Sequence, residues 1–192
     1  MVGSSSVRRL NICAKNPHLH QAANRYCAII IKMDENIIIA SHHEAGHAIM
    51  AYVVGWNISS IELLIENGIL KMGVTNYEFG EDNLEDFVNL NRRIHALIGG
   101  PIAEIFFRGE SHIDLDLLGV DGVRIDELLK TDLNKDNTIQ AAINLTATFL
   151  NFPNCKSAIN EIAQILIETS SLSKEHFNMI MQKHKVHQMN FG

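Results

Sequence analysis

A chain of 192 residues that is 46% hydrophobic and 20% charged has the length for one hydrophobic core and the composition of a globular protein. Its formal net charge of −6 lacks the basic footprint that phosphate recognition needs, which argues against nucleic acid as a partner. Cys13, Cys27 and Cys155 are odd in number, widely spaced and form no C-x-x-C pair, so they read as reduced thiols in a cytoplasmic setting and not as a disulfide framework.

In chain order, residues 1–33 come first and carry Arg8, Arg9, Lys15, Arg25 and Lys32 with no acidic residue before Asp34. Such a segment reads as a basic, disordered N-terminal arm, with an organelle-targeting peptide as the alternative. A single domain is expected over residues 34–184, followed by a short tail, 185–192. Apolar periodicity predicts a helix from Glu35 to Val54, closed by Gly55. Ser41 and Glu44 match a capping box, but the apolar pattern already runs upstream through Ile37 and Ile38, so no helix start is placed there. Ser59–Ile65 and Leu70–Tyr77 flank Glu66-Asn67-Gly68 and read as a β-hairpin. Asn83 to Ile98 returns to helical spacing, Gly99-Gly100-Pro101 interrupts it, and Ile102 to Phe107 resumes. An acidic loop from Arg108 to Asp121 precedes three helices, Asp126 to about Leu150, Lys156–Thr169 and Ser173–His184. The expected fold class is mainly α with one small β-sheet (α+β). No apolar run approaches the roughly 18–20 residues of a transmembrane helix.

The chemistry sits in the first helix. His43-Glu44-Ala45-Gly46-His47 reads H-E-x-x-H. Positions i and i+4 share a helix face, so two imidazoles converge on one metal ion, while the intervening glutamate can reach a metal-activated water without ligating the metal. This is the pattern of a catalytic zinc site with its own general base, Glu44. Glu104, after Gly99-Gly100, is a candidate for orienting a ligand histidine through its other ring nitrogen. His42 is turned about 100° from His43 and cannot share its metal. His18, His20, His95, His112, His176, His184 and His187 have no partner at ligand spacing and read as surface histidines.

Ala40-Ser41-His42-His43-Glu44-Ala45-Gly46-His47-Ala48-Ile49 resembles the motif helix of the peptidase domain of FtsH-type membrane proteases, zinc enzymes fused to an AAA ATPase. Lys71-Met72-Gly73-Val74-Thr75 is similar to that family's second hairpin strand, and Leu97-Ile98-Gly99-Gly100-Pro101-Ile102-Ala103-Glu104 to its Leu-Gly-Gly-Arg-Ala-Ala-Glu segment. Ile165-Leu166-Ile167-Glu168-Thr169 through His176 is similar to its C-terminal segment. The matches keep the family's order over roughly residues 38 to 181.

The resemblance implies a third zinc ligand, an aspartate at the start of a helix. Asp126 in Asp121-Gly122-Val123-Arg124-Ile125-Asp126-Glu127-Leu128 is the choice, with Asp114, Asp116 and Asp121 as rivals. It also implies that Gly73, Val74 and Thr75 form an open strand edge on which a polypeptide substrate is laid, and that the protein forms a hexamer. No G-x-x-x-x-G-K-[ST] loop occurs, so ATP binding is not expected, and unfolding would fall to a partner ATPase. The resulting expectation is a Zn2+-dependent metalloendopeptidase that cleaves peptides or unfolded segments without ATP. The alternative is a catalytically inactive binding or assembly module on the same fold.

Overall fold

The computed structural model describes residues 35–78, 87–110 and 118–189. All of them belong to the unit Asp34–Gly192. The expectations for the arm 1–33 with Cys13, Cys27, His18 and His20, and those for His112, Asp114 and Asp116, fall outside the described residues.

Helix α1 (Glu35–Val53) is the centre of the structure, because its apolar and small residues leave almost no polar face. Ile37, Ala45, Ala48, Ile49, Met50, Ala51 and Val53 are all buried along it. A helix apolar on every side has to be surrounded. Here α2 (Phe87–Phe107), α5 (Pro153–Thr169) and the β-hairpin surround it. Ser41 lies inside α1 and donates its hydroxyl to the Ile37 carbonyl at 2.7 Å, so it caps nothing. The helix closes as the sequence suggests. Gly55 takes φ 97°, and Trp56 N–H reaches back to the Ala51 carbonyl at 2.9 Å.

Strands β1 (Asn57–Glu66) and β2 (Ile69–Glu78) pair antiparallel through a turn in which Asn67 and Gly68 have φ 53° and 78°. A third strand, β3 (Ser171–Ser173), pairs antiparallel with the other side of β1. The sheet order β2-β1-β3 therefore leaves β2 on an edge. Three residues of strand between two helices leave too short a periodic signal to read from sequence, and β3 falls where a helix–helix connection is expected.

Two helical expectations need correction. Gly99-Gly100-Pro101 does not interrupt α2, which runs through all three to Phe107. Pro101 removes one N–H from the helix, but the contact of two glycines against α1 holds the segment helical. The helix expected from Asp126 to Leu150 is two helices, α3 (Gly119–Leu128) and α4 (Lys135–Leu150), separated by turns. Helix α6 (Lys174–His184) closes the fold, with Ser173 accepting from His176 N–H at its start. Among the described residues no helix is long and apolar enough to cross a membrane.

Candidate metal centre

Glycine sets how closely α1 and α2 approach. A Cβ on Gly46 would strike the Gly99 carbonyl oxygen and lie 2.5 Å from Ala103 Cβ. A Cβ on Gly99 would lie 2.5 Å from the Gly46 carbonyl oxygen and 2.9 Å from Met50 Cβ. At this crossing the backbones touch. His43 and His47 from α1 then meet Asp121 from the first turn of α3.

The donor atoms form a small triangle. His43 Nε2 and His47 Nε2 are 3.0 Å apart, and Asp121 Oδ2 lies 3.1 Å from the first and 3.3 Å from the second. Ligands bonded to a tetrahedral zinc at about 2.0–2.1 Å are separated from one another by about 3.3 Å, so these edges match one face of that tetrahedron. His43, Glu44 and His47 also offer ligand atoms within 4.8 Å of one another, a group that could hold a metal ion.

Asp126, the aspartate singled out above, is not at this site. Its side chain is 58% exposed and pairs with Lys135 at 3.1 Å. Because α3 begins at Gly119, Asp121 stands on its buried face. Asp126 is five residues further and turned by about 140°. The rival Asp121 takes the position.

Each histidine is held by its far nitrogen. His47 Nδ1–H donates to the Ala96 carbonyl at 2.8 Å, and His43 Nδ1–H donates to Glu104 Oε2 at 3.2 Å. With Nδ1 keeping its proton and a metal taking the place of any proton on Nε2, each Nε2 lone pair would face the triangle, the arrangement that orients metal-bound histidines. Glu104 thus sits where the sequence places it, steadied by Arg108 at 2.8 Å.

The charges agree with this geometry. Burial disfavours the His43 cation, but hydrogen bonds to Asp121 and Glu104 and the charge of Glu44 outweigh it and push its pKa up to about 9. Burial also opposes ionisation of Asp121, yet hydrogen bonds from His43 and His47 hold its carboxyl well below the usual carboxylate range. The His43 hydrogen bond, against a smaller cost of burial, lowers Glu104. Burial, then the charges of Glu44 and Asp121, raises the Tyr77 hydroxyl. The site is strongly electronegative, as a site for a cation must be.

Glu44 is buried beside β2. A Cβ at Gly73 would lie 2.5 Å from Glu44 Oε1, so only glycine leaves room for the carboxylate against the strand. Thr75 Oγ1 donates to Glu44 Oε2 at 2.8 Å. That contact was not apparent from sequence, where Thr75 belonged only to the strand edge. His43, Glu44, His47 and Asp121 open into a cleft of about 430 Å3, whose other walls include Met72, Gly73, Val74, Thr75 and Val120.

His42 stays away from the site, and His95 and His184 depart from the surface reading. His42 is buried, donates Nδ1–H to the Ile38 carbonyl at 2.9 Å and stacks on Phe107 with ring centroids 3.9 Å apart. His95 is buried and lies 2.9 Å from the Thr146 hydroxyl. His184 pairs with Glu161 at 2.7 Å. None of the three joins the triangle. Compared with protein-family models and with curated proteins, the chain matches none.

Proposed function

We propose that this chain is a zinc-dependent metalloendopeptidase, built like the peptidase domain of FtsH-type proteases, that hydrolyses peptide bonds in short or unfolded polypeptides. The triangle of His43 Nε2, His47 Nε2 and Asp121 Oδ2 beside the buried Glu44 carries the reading. Three protein ligands leave a fourth coordination position open, which marks a catalytic site, whereas structural zinc sites close with four. Zinc held there supplies Lewis acidity and lowers the ionisation of water to about pH 7.

The chain's own residues do the rest. Glu44 accepts the proton released when water attacks the scissile carbonyl, then returns it to the departing amine. Thr75 fixes which Glu44 oxygen faces the cleft. The edge of β2 offers backbone N–H and C=O groups to an extended peptide, which favours recognition of main chain over side chain. The buried free thiol of Cys155 suits a reducing, cytoplasmic setting. Assembly as a homo-oligomer or with a partner ATPase would bring folded substrates within reach.

The test is zinc content by elemental mass spectrometry together with cleavage of an unfolded protein such as casein. The reading expects near one zinc per chain and cleavage that Glu44→Gln abolishes while zinc stays bound. Cleavage retained in Glu44→Gln overturns the mechanism. Zinc without any cleavage leaves the inactive binding module as the correct reading.

A further inference from the structure

The catalytic cleft shares Tyr77, Leu97 and Arg124 with a second cavity of about 430 Å3, whose other lining residues include Trp56, Arg93 and Glu127. Its character differs from that of the cleft. Trp56 and Tyr77 form an aromatic wall, with ring centroids 5.6 Å apart. Arg93, half-buried on α2, makes no hydrogen bond or ion pair among the described residues. Arg124 makes one long contact, 3.4 Å to Asp121 Oδ1, and its side chain is 63% exposed, so most of its guanidinium donors remain available. Both guanidinium groups act electrostatically on the Tyr77 hydroxyl. Glu127 is the one acidic residue lining the cavity among the described residues, against two arginines.

A half-buried guanidinium without a partner costs desolvation that nothing in the described fold repays. The Arg93 fork, with the largely exposed Arg124 guanidinium and aromatic faces lining the same cavity, suits a carboxylate carried on a short aliphatic stem. We propose that the Arg93–Arg124 cavity is a specificity pocket that selects an acidic side chain, Asp or Glu, next to the scissile bond of the substrate. This inference rests on the peptidase reading for its biological meaning, but the pocket can be tested without catalysis.

The binding arm uses the zinc-loaded full chain carrying Glu44→Gln. Its probe is a fluorescein-labelled unstructured peptide of Ala, Ser and Leu with one central Glu, compared by anisotropy with the same peptide carrying Gln. The pocket predicts about tenfold tighter binding of the Glu peptide at low salt. Arg93→Gln should remove that preference, and Arg93→Glu should turn it toward a central Lys; circular dichroism checks that both variants fold. The cleavage arm digests a mixed peptide library with the unmodified zinc-loaded chain and maps the cut sites by mass spectrometry, where acidic residues should be enriched at one position beside the cut. Equal binding of the two peptides, or of neither, overturns the pocket, as does an acid preference that survives in Arg93→Gln. If no peptide is cut while the Arg93-dependent preference holds in binding, the peptidase reading fails and the pocket stands.

Discussion

Gly100→Ala adds one methyl group, and its effect can be worked from geometry alone. The new Cβ would fall on His47 Nε2, lie 2.6 Å from His47 Cε1 and 2.7 Å from His43 Cδ2. Carbon–carbon contacts settle at about 3.5–4.0 Å, so the overlap is roughly 1 Å. Neither imidazole can swing aside freely, because Ala96 holds His47 and Glu104 holds His43 by their far nitrogens. Relief then comes from displacing a ring or from separating α1 and α2, which also opens the contact at Gly46 and Gly99. Overpacking of this kind costs about 1–3 kcal/mol of stability. Metal–ligand distances tolerate only about 0.2 Å, so the same displacement should weaken zinc binding by about 100-fold or more. Competition against a chromophoric zinc chelator reads the affinity, and urea unfolding reads the stability. Wild-type affinity together with an unchanged unfolding midpoint would refute the argument that α1 and α2 are in contact at the histidines.

Asp121→Ala should reduce zinc content from near one per chain to near zero. Asp126→Ala should leave it intact and cost less than about 1 kcal/mol, since Asp126 contributes only a surface ion pair. Elemental analysis of the two variants decides between the aspartates. Thr75→Val removes the hydroxyl that orients Glu44 and should lower kcat by about tenfold or more while KM changes little; equal kcat would show that Glu44 needs no such positioning. Burial lowers the pKa of His95 below its ordinary value, so the unfolded chain takes up a proton more readily than the folded one. Its contribution to stability is therefore complete above about pH 6.5 and declines as the pH falls below that value. Below about pH 6.5, where the stability conferred by the raised His43 is already close to fully present, urea midpoints should fall toward pH 5, and His95→Gln should make that fall shallower; an identical slope in the variant would remove His95 from the account.

Two corners of the His43–His47–Asp121 triangle were legible in the sequence because both lie within one helical turn, where spacing alone fixes their geometry. Glu44 and the hairpin were legible for the same local reason, and Asn67-Gly68 states its turn chemistry outright. The third corner was not settled, because choosing among aspartates requires knowing where α3 begins. The sequence reading starts that helix at Asp126, whereas α3 begins at Gly119, so the aspartate of its first turn is Asp121. Gly99-Gly100-Pro101 misled in the opposite direction. Local chemistry reads them as a break, but packing against α1 needs small residues there and keeps the helix whole. His95 was misread as a surface residue because whether a histidine is buried depends on partners such as Thr146, far away in the chain.

The open edge of β2 carries a liability as well as an opportunity. Among the described residues no strand covers it, and Leu64, Ile69 and Met72 on the hairpin are each about half exposed. An uncovered strand with apolar neighbours is a template for any extended chain, including another copy of itself. Proteins usually shield such edges with charge or proline, and β2 offers only Lys71 and the terminal Glu78. Shielding the middle of the strand would also bar a peptide from Glu44. On the proposed peptidase reading, crowding at this edge would therefore work against turnover, because two copies joined strand to strand would each close the other's cleft.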